Sequence, residues 1–186
     1  MSPETWQGVF EGFYLFALAH ILARVEIHIE GDSGWAVKLP TWRWGPEWWL
    51  NLTNGKELTG YHVWLTLFLI AVLHLPLVFA GFSRELWAKC LSTYLAVTAF
   101  WDLQWFVWNP AWGLKGLRER TVPWFRKKWL GFPTDYYFAV AMSGAATFVI
   151  YRPGMSLWSI RMGVLAAASV LSLVAAEARP RASSKT

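Results

Sequence analysis

Charge is scarce in this sequence. Only 16% of its 186 residues are Asp, Glu, Lys or Arg, where a soluble domain carries about 25%. With 55% of the chain apolar, there is too little polar surface to cover an ordinary water-soluble fold. Cysteine is nearly absent: Cys90 stands alone, which excludes an internal disulfide. Lying inside an apolar run, it reads as a small buried hydrophobe. The four histidines are too few for the His-rich sites of membrane desaturases and hydroxylases. No Glu-x-x-His pair occurs, so the carboxylate-bridged di-iron template of helical bundles does not apply. No basic run has the form of a nucleic-acid module. The start of the chain has Glu4 and Glu11 where a signal peptide has a basic region, which predicts no cleavable leader.

What the sequence does have is long apolar runs and 15 Trp. Runs of about twenty residues with few charges predict membrane helices. Five are expected, over about 7–26, 59–82, 85–108, 135–151 and 155–176. The fold class is therefore all-α, a polytopic membrane bundle forming one domain over 1–178, with a disordered polar tail from 179 to 186. Pro76 is expected to kink the second span. Small residues in Ser143-Gly144-Ala145-Ala146 and Ala166-Ala167-Ala168-Ser169 are expected to bring the last two helices close together. Two stretches do not span. Residues 31–58 are too polar and too rich in Gly and Pro to cross the bilayer, and the Trp-rich stretch 40–49 within them reads as a loop or short helix in the interface. Residues 111–133 interleave aromatics with Lys and Arg, the composition of an amphipathic helix on an anionic surface, with a solvated basic loop as the other reading. The Trp excess itself suits an aromatic belt, with a Trp-lined ligand cavity as the other reading.

Lys and Arg counts orient the spans. Five spans place 13 of these residues on one side and 4 on the other, so the two large loops and the C-terminus are expected in the cytoplasm and the N-terminus outside. That topology puts His20, Glu26, His28, Glu30, His62, Asp102 and Asn109 in one half of the membrane. Ionisable residues at such depth face the bundle interior and mark a functional site by default. Imidazole and carboxylate together can ligate Zn, Fe, Cu or Mn, and the expected ligand set is His20, Glu26, His62 and Asp102. Glu30 and His28 are the candidate proton-transfer groups. If residues 25–30 are helical, Glu26 and Glu30 share a face and His28 points away; if they are extended, all three point one way. A metal-free polar site and plain structural hydrogen bonding remain alternatives. A second polar group, Glu11, His74 and Arg161, falls in the other half, with an Arg161–Glu11 ion pair expected.

Several blocks carry a resemblance. They are Glu26-x-His28-x-Glu30-Gly31, Gly34-Trp35-Ala36, Leu39-Pro40-Thr41-Trp42-Arg43, Leu58-Thr59-Gly60-Tyr61-His62 and Trp105-Phe106-Val107-x-Asn109-Pro110. Together they resemble a group of uncharacterised small prokaryotic integral membrane proteins, which implies a plasma-membrane location and directs attention to Glu26, Glu30, His62, Asp102 and Asn109. In span number, size and Trp content the chain is also similar to the tryptophan-rich sensory (translocator) proteins, but it lacks their paired prolines. The leading functional expectation is an enzyme, with or without one transition metal, modifying a lipid or other amphiphile. The alternatives are a pigment- or ligand-binding subunit of a larger membrane complex or homo-oligomer, and a small proton-coupled transporter using Glu11, His74 and Asp102.

Overall fold

The computed structural model describes residues 1–119 and 121–178. The expected tail and Arg120 of the basic segment lie outside the described residues. Helices dominate, and five of them coincide with the five apolar runs. Ser2 caps α1 (Pro3–Glu30), its hydroxyl accepting from Thr5 N at 3.2 Å, and Pro3 sits in the first turn, where its missing N–H is not needed. Gly31 stops the helix with φ +69, a conformation that an L side chain resists. Thr59 caps α3 (Gly60–Ala80), which continues through Pro76 to Gly81. Ser83 caps α4 (Arg84–Trp108), and Asn109-Pro110 ends it. Helix α6 (Thr134–Ile150) is followed by a 3-10 turn over Arg152–Gly154 and then by α7 (Met155–Glu177).

Helix α4 is the axis of the bundle. Helices α1, α3 and α6 each pack along it, and α7 packs chiefly along α1. Three helical stretches, Pro3–Glu30, Gly60–Ala80 and Arg152–Glu177, are long and apolar enough to cross a membrane, and they mark the protein as membrane-associated. Helix α4 carries a more polar sequence because its surroundings are protein. Its buried Gln104 accepts through Oε1 from Ser172 Oγ at 2.8 Å and Trp108 Nε1 at 3.1 Å, and Ser92 O accepts from Ser143 Oγ at 2.7 Å. A surrounded helix finds such partners, whereas one facing lipid does not.

The connections fold back onto one end of the bundle. The first holds β1 (Arg43–Trp44), α2 (Glu47–Leu52) and β2 (Leu58–Thr59), with β1 and β2 antiparallel. The second holds α5 (Gly113–Glu119) and an antiparallel pair, β3 (Lys128–Trp129) and β4 (Phe132–Pro133). This second connection corrects the expected amphipathic helix. Among its described residues only seven are helical, and two of its aromatic side chains turn inward: Trp124 and Phe125 are buried against Trp105 and Phe106, while Trp129 stays exposed. Burying aromatics against the bundle competes with laying them on a bilayer surface, and here packing prevails.

The small-residue expectation is corrected in part. The closest glycine contacts between two helices join α1 to α7: a Cβ on Gly8 would meet Ile160 Cγ2 at 2.7 Å, and one on Gly12 would meet Val164 Cβ at 2.6 Å and the Arg161 carbonyl oxygen at 2.9 Å. On α6, Ser143 turns to α4, and Gly144 makes room for the indole of Trp158 from α7. Ala166 and Ala167 are exposed. A bulky side chain at Gly12 therefore has a backbone atom in its way, and a backbone atom cannot swing aside. Gly12→Val should lower stability by about 1–3 kcal/mol and depress the thermal unfolding midpoint in detergent. Gly163→Ala, which enters open space, should leave the midpoint unchanged or raise it slightly.

Candidate functional site

The helix of α1 runs unbroken to Glu30, so Glu26 and Glu30 lie on one face, four residues apart. Both are buried. Facing them is His62 in the first turn of α3. Its Nε2 lies 3.6 Å from Glu26 Oε1 and 3.5 Å from Glu30 Oε1. One ligand-capable atom from each of the three residues lies within 4.8 Å of the other two.

The imidazole is held on every side. Thr59, the cap of α3, accepts from His62 N at 3.1 Å, and its hydroxyl lies 2.7 Å from His62 Nδ1. Trp35 stacks on the ring at 4.1 Å between centroids and 19° between planes, and Tyr61 meets it edge-on at 5.0 Å. With Nδ1 engaged by Thr59, Nε2 is the nitrogen presented to the carboxylates. The tautomer follows the direction of the Thr59 bond: if Nδ1–H donates to the hydroxyl, Nε2 offers a lone pair.

The resembling blocks are wired to one another around this trio. Glu30 Oε1 accepts from Ala36 N at 2.5 Å, which folds Gly34-Trp35-Ala36 back over the end of α1. Gly34 has φ +64, and a Cβ there would lie 2.5 Å from Trp124 Cη2, so glycine is required for both conformation and space. Arg43 Nη1 donates to the carbonyl oxygens of Trp35 and Ala36, each at 3.2 Å. At the start of α3, Gly60 N donates to Trp42 O and Tyr61 N to Thr41 Oγ1. The first three amides of that helix are thereby satisfied without water. Asn109 closes the ring: its Nδ2 donates to Gly31 O at 2.8 Å.

Glu26, Glu30, Trp35 and His62 line a cavity of ≈ 220 Å³ together with Lys56, Thr66, Thr98, Trp101, Asp102, Trp105 and Trp124. Asp102 accepts from Tyr136 OH at 2.5 Å. Lys56 lies 2.9 Å from Asp135 and over the rings of Trp35 and Phe125. The cavity wall thus carries three carboxylates, Glu26, Glu30 and Asp102, while its nearest cation is already paired. Such a concentration of carboxylates away from bulk water is stable only if it takes up protons or a cation. One donor on the wall, Trp105 Nε1, is buried and has no hydrogen-bond partner among the described residues, and the buried Tyr61 hydroxyl beside His62 lacks one as well.

Two residues of the expected constellation stand elsewhere. His20 turns to the far side of α1, with its Nδ1 3.4 Å from Gln104 Oε1 and its ring edge-on to Trp108. His28 is exposed on that same side and its Nδ1 bonds Arg24 O at 2.6 Å. The cause is helical periodicity: positions 20, 24 and 28 form one stripe, and 26 and 30 belong to another. Glu30 stands beside Glu26 and His62, and Asp102 lines the wall beyond them. Sequence reasoning missed Lys56, Trp101 and Tyr136. Lys56 was visible only as a topology charge, and nothing local marks Tyr136 as the partner of Asp102.

The roof over the cavity is a clasp between the two connections. Asn54 is buried at φ +58, a left-handed conformation that Asn tolerates. Its amide donates to Lys127 O at 2.9 Å and accepts from Lys127 N at 2.6 Å. Arg126 forks onto Glu47 at 2.7 and 3.3 Å, and this guanidinium holds the Glu47 carboxyl below its ordinary pKa. That contribution is present above the ordinary value near 4.5 and fades as pH falls through the lowered one. No protein-family model, curated protein or solved structure matches the chain. Asn54→Ala removes both clasp bonds and the αL preference. It should cost about 1–3 kcal/mol, and hydrogen exchange should quicken over 122–128 while the amides of α4 stay protected.

Proposed function

We propose that the chain is a five-helix membrane protein that binds one divalent transition metal ion through Glu26, Glu30 and His62, and uses it on the polar head of a membrane amphiphile. The observation that carries this reading is the convergence of two buried carboxylates and one oriented imidazole on a cavity with surplus negative charge. Separations of 3.5 and 3.6 Å between ligand atoms are close to the ~3.3–3.4 Å edge of a tetrahedron with metal–ligand bonds of about 2.0–2.1 Å. Small closing movements of the carboxylates would complete a three-ligand site. The fourth position would face the cavity, as a catalytic rather than a structural metal requires.

Each surrounding residue has a role in this reading. Thr59 fixes the ring of His62 and sets its tautomer. Asp102, outside the ligand triad but on the same wall, exchanges protons with bound water or substrate. The N–H group of Trp105 supplies a donor for an oxygen atom of a head group, which would satisfy a buried group that has no partner among the described residues. Indole walls give the same cavity an apolar surface for the carbon next to that head.

Helices α4 and α6 are read as spans too, with the protein's own contacts compensating the polarity of α4. A proton-conducting line from Glu11 through His74 to Asp102 is disfavoured. Between its two ends, α1, α3 and α4 contribute the buried Ala19, Ala23, Leu69, Ala96 and Val97, and His74 is engaged with Ile70 O at 2.9 Å. The second reading is a homo-oligomer or a subunit of a larger complex. It is favoured by α3, which exposes Trp64, Phe68, Val78 and Phe79 and packs mainly on α4.

Elemental mass spectrometry on tag-free protein tests the metal. About one transition metal per chain is expected after reconstitution, with loss in Glu26→Gln and His62→Ala and a roughly 10–100-fold weaker affinity in Thr59→Val. Folded wild-type protein that takes up no Zn, Fe, Cu or Mn overturns the reading.

A further inference from the structure

A second polar cavity lies at the opposite end of the bundle, where α1, α4 and α7 begin. It has a volume of ≈ 280 Å³ and walls from four helices. The expected ion pair is present there, with Arg161 Nη1 3.6 Å from Glu11 Oε2. Lys89 joins it through Glu11 Oε1, and Gln7 Nε2 donates to the same oxygen at 2.9 Å. Arg161 comes from α7, Lys89 from α4 and Glu11 from α1, so three helices are pinned at one point.

Charge does not balance there. Two cations, Arg161 and Lys89, face one carboxylate. Arg161 is 3% exposed, and its depth is ~9 Å from the start of α7 at 1.5 Å per residue. Its Nη2 reaches Ser92 Oγ at 3.2 Å and its Nη1 reaches Thr93 Oγ1 at 3.4 Å, both neutral and long. Its Nε has no hydrogen-bond partner among the described residues. A guanidinium buried in a helix bundle with a donor unused and a neighbouring ammonium is a site that lacks an anion. The rest of the wall is apolar, with Leu15, Leu73, Pro76 and Leu86 beside the charged group. Exposed Tyr14 and Pro76 place the mouth on the side of the bundle, between α1 and α3.

We propose that this cavity binds the anionic head of an acyl-chain amphiphile, with Arg161 and Lys89 clasping the head and the tail running out between α1 and α3. Two sources share that chemistry: a fatty carboxylate and the phosphate of an anionic phospholipid. Arg161 would meet either with a second charge-assisted hydrogen bond, through the donor it now leaves unused. Glu11 sets the selectivity. It holds the two cations apart and limits the site to one negative charge.

The test is scintillation-proximity binding to the full-length protein in dodecyl maltoside, with tritiated oleate and tritiated phosphatidylglycerol as separate probes and phosphatidylcholine as the zwitterionic control. Saturable binding near one per chain by either anionic probe, and not by the control, is expected; the probe that binds identifies the source. Lys89→Gln and Arg161→Gln should weaken it roughly tenfold or more. Glu11→Gln, which leaves the two cations unopposed, should strengthen it severalfold. If Arg161→Gln fails to fold, the opposite effects of Lys89→Gln and Glu11→Gln still decide the matter. Absence of saturable binding by both anionic probes, equal binding of phosphatidylcholine, or indifference to both of those variants overturns the proposal.

Discussion

One carboxylate holds the functional end of this protein together. Glu30 closes the last turn of α1, accepts the amide of Ala36 and faces His62 across the cavity. The first bond folds the connection after α1 back over the bundle, and the second faces the start of α3 towards the end of α1. Trp35 then has one place to go, flat on the imidazole, and the short β1–β2 pair follows because Thr41 and Trp42 are brought to the open amides of α3. A buried carboxylate is costly unless it is bonded, so the sequence around it is heavily constrained. Removing it would free a loop, a helix start and a cavity wall together.

The second constraint is the central helix. Helix α4 is surrounded, and this lets it carry Ser92, Gln104 and Asp102 where a lipid-facing helix could not. Each of the three is answered from a neighbour: Ser143 on α6 and Arg161 on α7 bond Ser92, Ser172 on α7 bonds Gln104, and Tyr136 on α6 bonds Asp102. Those bonds align α6 and α7 with α4 and so fix the depth at which Asp102 enters the cavity. Aromatic packing completes the arrangement. Trp105, Phe106, Trp112, Trp124 and Phe125 form a continuous cluster beneath the roof, which accounts for three of the 15 Trp, while Trp6, Trp42, Trp44, Trp48, Trp64, Trp87 and Trp129 are exposed.

The two ends of the bundle are electrostatically opposite. One carries carboxylates in excess; the other carries an excess cation. The apolar layer between them keeps the two polar ends apart.

Residue order by itself determined the helices. Five apolar runs, three hydroxyl caps at Ser2, Thr59 and Ser83, and stops at Gly31, Gly81 and Asn109-Pro110 are local signals, and the five helices fall where those signals put them. Sequence reasoning also placed Glu26 and His62 in one polar group, and the structure brings them together, because buried ionisable side chains need partners wherever they occur. Only the tertiary structure decided the rest. Helical phase sends His20 and His28 to the other side of α1, and that phase was open until the helix was seen to continue through residue 30. The inward turn of Trp124 and Phe125, the pairing of Tyr136 with Asp102, and the choice of α1 rather than α6 as the chief partner of α7 all depend on contacts between residues far apart in the chain. Composition cannot express such contacts, because the same aromatics and small residues are compatible with either face until the packing partner is known.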